Sequence, residues 1–193
     1  MQPDAITYTN ASDEQLLLSI RLQKPTANAA FSELYDRYHG RVAKYCIALL
    51  GKQDGNDAFQ ETFVKFYHAA GRTVVENVPA MLTTIARNVC IDLKRRRKHT
   101  VVLDDETPQR QSIPSSSGNY EQQELMRLIE IGLEYLDFDI REAFVLRHYQ
   151  DLSYQEIAML TGVPETTVTK RIWRAKERLK QVLSPFINDL NQL

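Results

Sequence analysis

The sequence predicts an all-α protein: two small helical domains joined by a flexible acidic linker. Three observations carry this. Apolar residues recur at helical spacing along most of the 193 residues, and no alternating run is long enough to argue for a sheet. The periodicity vanishes over 98–119, where Asp104, Asp105, Glu106, two prolines and the run Ser115-Ser116-Ser117-Gly118-Asn119 form a linker composition. The formal net charge of −1 is a cancellation between segments: residues 87–100 carry +5, residues 101–139 carry −7 and residues 170–180 carry +5. The organisation expected is an N-terminal tail at 1–10, a first domain at 11–98, a linker at 99–119, a second domain at 120–187 and a C-terminal tail at 188–193.

The elements follow from local signals. Ser12 with Gln15 reads as a capping box opening a helix that runs to about Lys24. From Ala29 to Leu50, Phe31, Leu34, Tyr35, Tyr38, Val42 and Leu49 share one stripe, with Gly51 as the C-cap candidate. From Asp54 to Ala70, Phe59, Phe63, Phe66 and Ala70 mark the inner face, closed by Gly71. After a loop at Gly71–Val78, Pro79 suits a first helical turn. That helix buries Leu82, Ile85, Ala86, Val89 and Leu93 and ends in the basic run Lys94–Lys98. Beyond the linker, Leu125, Leu128, Ile129, Leu133 and Leu136 restore the helical pattern. A further helix starts near Asp139, with Glu142 as its box partner. Ser153 with Glu156 opens a short helix, Tyr154–Thr161, that Gly162 ends. After the turn Gly162-Val163-Pro164, the last helix runs from about Glu165 to Leu183.

Composition narrows the function classes. A hydrophobic fraction of 43% and a charged fraction of 25% are ordinary for a soluble globular protein. No stretch approaches the roughly 18 apolar residues of a membrane span, and Met1–Thr9 has neither the basic start nor the apolar core of a secretory signal. Two cysteines make no disulfide framework, so a cytoplasmic setting is expected. Cys46, Cys90 and the histidines at 39, 68, 99 and 148 have no ligand spacing, so no metal and no cofactor are expected. No phosphate-binding loop or nucleophile constellation is present, which argues against an enzyme. Two separated basic segments suggest a polyanion gripped at two places, although cations also simply favour helix C-termini.

Two helices joined by a tight turn containing glycine form the helix-turn-helix unit. In its second helix Val168, Ile172, Ala175 and Leu179 form the packed stripe, while Thr166, Thr169, Lys170, Trp173 and Arg174 lie opposite. Such a helix fits the major groove, where Arg and Lys read guanine, Thr bonds a base and an aromatic ring packs on methyl groups. Trp173 has the alternative of packing on a neighbouring surface. In the helix 54–70 the outer face is Asp57, Glu61, Val64 and His68, with Gln60 beside them. It is either a protein-docking face or a solvated one. The helix after Pro79 shows Thr84, Asn88 and Arg95 on its outer side, with Arg87 at the flank, a set suited to a base edge and phosphates together.

These residues carry a family resemblance. Asp57-Ala58-Phe59-Gln60-Glu61-Thr62-Phe63, then Ile85-Ala86-Arg87-Asn88 with Asp92 and the arginine run, resemble region 2 of sigma factors of the extracytoplasmic-function class. Ser153-Tyr154-Gln155-Glu156-Ile157-Ala158, Gly162-Val163-Pro164-Glu165 and Arg174-Ala175-Lys176-Glu177-Arg178-Leu179 resemble region 4 of that class. The resemblance covers about 12–183.

It implies a non-enzymatic bacterial sigma factor that binds core RNA polymerase and directs promoter recognition and melting. The implied partners are the clamp coiled coil of the largest polymerase subunit, the flap of the second-largest, promoter DNA and an anti-sigma factor, without membrane insertion. By the resemblance, Asp57, Gln60, Glu61 and Val64 dock on the polymerase. Arg87, Asn88, Lys94, Arg95 and Arg96 serve the −10 element, beside the loop Gly71–Val78. Thr166, Thr167, Thr169, Lys170, Arg171, Trp173 and Arg174 serve the −35 element, and the acidic linker threads the RNA exit path. Two positions depart from the common pattern: Met81 stands where many relatives have an aromatic residue, and Thr169-Lys170-Arg171 replaces a frequent Lys-Ser-Arg. Both bear on promoter sequence rather than fold. The alternative reading is a stand-alone helix-turn-helix regulator, which leaves the Gln60-Glu61 face and the first basic helix unexplained.

Overall fold

A computed structural model describes residues 8, 10–100 and 120–190, with the side chains of 98–100, 120–126 and 185–190 outside the description. Among the described residues the secondary structure is helical, in two compact units, Met1–Lys94 and Arg95–Leu193. From residue 101 onward the expected linker lies outside the described residues, as does most of the expected N-terminal tail.

The first unit begins with α1 (Asp13–Arg21), opened by the expected Ser12–Gln15 capping box. It stops before Lys24. Gln23 turns left-handed at φ 48°, and the amides of Gln23 and Lys24 donate to the carbonyls of Ile20 and Ser19, an ending that helix periodicity does not announce. α2 (Ala27–Leu50) buries Leu34, Val42, Tyr45, Cys46 and Leu49. Gly51, at φ 77°, both ends α2 and opens α3 (Lys52–Ala70). A single residue reverses the chain there because glycine has no Cβ to clash at positive φ.

α3 buries Ala58, Thr62, Phe63, Phe66 and Ala70. Phe59 is only half-buried, in an aromatic row with Phe63, Tyr35 and Phe31 whose rings meet edge-on or tilted. α4 (Val78–Thr100) is capped by Asn77, whose Oδ1 accepts from the Ala80 amide at 2.9 Å. Leu82, Ala86, Val89 and Cys90 are its buried stripe, and Ile85 and Leu93 sit at the margin. Arg37 ties α1 to α2. Its guanidinium donates to Asp13 and Glu33 at 2.9 Å each and to the Ala11 carbonyl at 2.7 Å. Asp13 also accepts from the Tyr38 hydroxyl, and burial together with that carboxylate pushes the Tyr38 pKa up to about 12.

The second unit comprises α5 (Tyr120–Glu134), α6 (Phe138–Tyr149), α7 (Tyr154–Thr161) and α8 (Glu165–Leu190). Its core joins Leu128, Leu133 and Leu136 to Val145, Leu146, Ile157, Val168, Ile172, Ala175 and Leu179. Arg141 donates to the carbonyls of Glu134 and Leu136, holding the end of α5 against α6. The expected Asp139–Glu142 capping box does not form. The N-cap is Asp137, Asp139 already lies inside the helix, and Glu142 is turned into the core at 3% exposure. α8 also continues past the expected end at Leu183 and through the expected boundary at 187. Pro185 lacks the amide that would reach the Gln181 carbonyl. The Ser184 hydroxyl donates to that carbonyl instead at 3.2 Å, so the helix proceeds.

Candidate nucleic-acid interface

The second unit positions α8 through two local devices. The Ser153–Glu156 box forms in full and starts α7: the Ser153 amide donates to Glu156 at 2.7 Å, and the Glu156 amide donates to Ser153 Oγ at 3.2 Å. Donation to its carboxylate from the Ser153 hydroxyl and from the Ser153 amide, at 2.7 Å each, holds the Glu156 carboxyl below its ordinary pKa. Gly162, left-handed at φ 73°, ends α7, and the carbonyl of Pro164 accepts from the Thr167 amide at 2.8 Å as α8 begins.

On α8 the buried stripe is Val168, Ile172, Ala175, Leu179 and Leu183. Thr166, Thr169, Lys170, Trp173 and Arg174 are all exposed, and Trp173 stands 62% open. Further along, Lys176, Arg178 and Lys180 are exposed as well. The helix therefore presents an indole ring among hydroxyl and cationic groups, the mixture that base edges and phosphates call for. The Thr169 hydroxyl donates to the Glu165 carbonyl at 3.0 Å, which ties this exposed side chain to the preceding helical turn.

Two residues of the expected −35 set are placed differently. Thr167 is half-buried. Arg171 turns toward α6, where its Nη2 meets Asp139 Oδ2 at 2.9 Å, and its side chain is only 20% exposed. Sequence reasoning also missed Arg147. This side chain donates to the Leu152 carbonyl at 3.2 Å and lies 5.9 Å from the centre of the Tyr154 ring, joining the end of α6 to the start of α7. The positive φ of Asp151 (53°) marks the same bend.

In the first unit Asp57, Gln60 and Val64 are exposed on α3, with Val64 57% open. Glu61 is half-buried and bridges to Lys65 at 2.8 Å. Four groups of the expected docking face thus share one side of one helix. On α4 Asn88, Lys94, Arg95 and Arg96 are exposed, Arg87 is half-buried, and Met81 is half-buried near the start of the helix. Val74, in the loop before α4, is 69% exposed. Among the described residues no group of three or more His, Cys, Asp or Glu could hold a metal, and both cysteines are buried free thiols.

Comparison with known proteins decides the family. Residues 34–100 match "Sigma-70 region 2", and residues 133–179 match "Sigma-70, region 4". The ferric citrate uptake sigma factor FecI of Escherichia coli is 30% identical over 156 residues, which is 79% of this chain and 90% of the relative. This chain is an extracytoplasmic-function sigma factor of the sigma-70 family. The sigma factor SigM of Bacillus subtilis is 25% identical over 158 residues, 81% of this chain and 97% of that protein. Among solved structures, the sigma factor RpoE of Bartonella quintana, in complex with the anti-sigma factor NepR, aligns at a TM-score of 0.68 and 25% identity, covering 80% of this chain and 96% of RpoE. CnrH, in complex with the cytosolic domain of CnrY, aligns at 0.61 and 25% identity, covering 90% of this chain and 97% of CnrH.

The role of the chain is therefore that of a sigma factor in transcription initiation, and the sigma family is not a family of enzymes. The two basic helices belong to its two regions: α4 closes region 2, and α8 is the second helix of the helix-turn-helix in region 4. No helix among the described residues is long and apolar enough to cross a membrane.

Proposed function

We propose that this sigma factor acts in the cytoplasm, without catalysis of its own, by bringing core RNA polymerase to promoters with two elements. Asp57, Gln60, Glu61 and Val64 on α3 dock on the clamp coiled coil of the largest polymerase subunit, and region 4 meets the flap of the second-largest. The mixture of carboxylates, an amide and an exposed aliphatic side chain on one helix face supports the docking assignment. Arg87, Asn88, Lys94, Arg95 and Arg96 serve the −10 element, with the base edge at Asn88 and the cations on the backbone.

Thr166, Thr167, Thr169, Lys170, Trp173 and Arg174 serve the −35 duplex. The exposed indole of Trp173 among cations on the outer face of α8 is the observation that carries this reading, since a 62% open tryptophan is a poor element of a fold and a good element of an interface. An anti-sigma factor is a further partner, supported by the likeness to RpoE, which was solved bound to one.

The test is run-off transcription with purified core RNA polymerase on a promoter library. Initiation from sequences sharing −35 and −10 elements is the expected result. Strong sequence-specific binding of the lone protein to duplex DNA, with no stimulation of the polymerase, would establish a stand-alone regulator instead.

A further inference from the structure

The basic stretch on α8 holds six cations, and five of them are exposed. Arg171 is the exception. It lies between the packed residues Val168, Ile172 and Ala175 and the outward set Lys170, Trp173 and Arg174. Its guanidinium crosses to Asp139, in the first turn of α6 and 32 residues earlier in the chain. The α6 N-terminus favours a negative charge at that position, so the carboxylate is a stable anchor. The pair fixes a point in the second turn of the recognition helix to the helix it packs on.

We infer that Arg171 is a positioning residue for −35 recognition rather than a DNA contact, and that Asp139 is its partner in setting how α8 is presented to the groove. This rests on the proposed reading of α8 as the −35 helix. Base readout depends on the angle and depth at which a helix enters the groove, and a side chain anchored on a neighbouring helix bears on both. A guanidinium that contacted phosphate would instead act through charge, and the salt dependence of binding reports that difference.

The experiment uses holoenzyme assembled from the full chain and core RNA polymerase. The probe is a promoter duplex that the wild-type holoenzyme enriches from a library randomised at −35, and affinity is measured across a range of salt concentrations. Arg171→Ala and Asp139→Asn are each expected to weaken binding about two- to fivefold, the scale of an exposed ion pair. The double variant should bind no worse than Arg171→Ala. The slope of log affinity against log salt should remain that of the wild type, and the charge-exchanged pair Asp139→Arg with Arg171→Asp should recover most of the loss. Asp139 is 61% exposed, so Asp139→Asn leaves folding intact and carries the test even if Arg171 variants unfold. The inference is overturned if Arg171→Ala makes the slope shallower by about 0.9, the value of one phosphate contact. It is likewise overturned if Asp139→Asn binds as tightly as the wild type or more tightly. A wild-type holoenzyme that enriches no −35 sequence overturns the reading of α8 itself, and this assignment with it.

Discussion

Gly55 of α3 meets Ile47 of α2 backbone to backbone: a Cβ on Gly55 would stand 2.5 Å from the Ile47 Cα and 2.8 Å from its amide nitrogen. The two helices cross this closely because Gly51, between them, reverses the chain in one residue. No rotamer change relieves such a contact, since the obstacle is main chain. Gly55→Ala is therefore expected to destabilise the first unit by about 1–3 kcal/mol, although alanine is the better helix former. Gly40→Ala is the control. That glycine is also helical, but a Cβ there meets nothing within 4 Å, and a gain of about 0.5–1 kcal/mol is expected. Hydrogen exchange at α2 and α3 amides measures both.

Arg37 supports a second expectation. It joins Asp13, Glu33 and the Ala11 carbonyl from a side chain that is 26% exposed, so it is the main polar tie between α1 and α2. Arg37→Ala removes these charge-assisted bonds and leaves Asp13 near Tyr38 without its cation. A loss of about 1–3 kcal/mol is expected, concentrated in α1. Faster exchange of α1 amides, with the α3 and α4 amides little changed, is the signature to look for.

The particular residues show where the sequence was legible. Both ends of α7 were, because a Ser–Glu box and a left-handed glycine are signals within one turn of chain. The outward set on α8 was legible too, since a 100° period sorts Trp173 from Ile172 without knowledge of any neighbour. Arg171 was not. Its partner Asp139 is 32 residues away on another helix, and no local pattern encodes that meeting. The same holds for Gly55, whose need for glycine arises only where α2 and α3 cross. Asp139 and Glu142 had the right spacing for a cap, yet tertiary packing drew one to Arg171 and the other into the core. The expected end at Leu183 was too early, because the Ser184 hydroxyl donates to the Gln181 carbonyl that the missing amide of Pro185 leaves open.

The second unit should lose stability in mild acid. His148 packs on the Phe144 ring at 4.4 Å between centroids, and burial lowers its pKa first, with Lys176 and Arg147 adding to the effect against Asp151. A base whose folded pKa lies below its free value binds fewer protons folded than unfolded. Its contribution is then intact above the ordinary value of 6.5 and is lost as pH falls through it. The thermal midpoint of this unit is expected to drop between about pH 7 and about pH 5, and to drop less in His148→Gln. Comparison with the variant removes the opposite contribution of Glu130, whose pKa burial raises. An unchanged pH dependence in the variant would remove His148 from the account.

Trp173→Ala separates fold from function. The ring is 62% exposed and lies opposite the buried stripe, so unfolding should shift by no more than about 0.5 kcal/mol. Binding of holoenzyme to a −35 duplex should weaken by about 1 kcal/mol or more, the scale of a base-edge contact. If instead stability falls and binding holds, the indole serves packing.

Glu61→Lys tests the first unit. Glu61 is half-buried on α3 and bridges to Lys65 at 2.8 Å, while Asp57, Gln60 and Val64 share its face. An exposed i, i+4 pair is worth about 0.3–0.5 kcal/mol, and replacing its carboxylate by an ammonium sets two cations against each other at a similar cost. The first unit should therefore stay folded, with an unchanged circular dichroism spectrum and a small decrease in thermal midpoint. Association is a different matter, because reversing a charge inside the proposed docking patch both removes an attraction and adds a repulsion, and juxtaposed like charges cost several kcal/mol. Co-purification with core RNA polymerase should be lost, and run-off transcription with it, while the proposed −35 face of α8 is unchanged. Gln60→Ala, on the same face, should weaken association without abolishing it. A Glu61→Lys protein that co-purifies at the wild-type level would show that the polymerase docks elsewhere on the first unit, for which the half-buried aromatic row of Phe31, Tyr35 and Phe59 is the next surface to mutate.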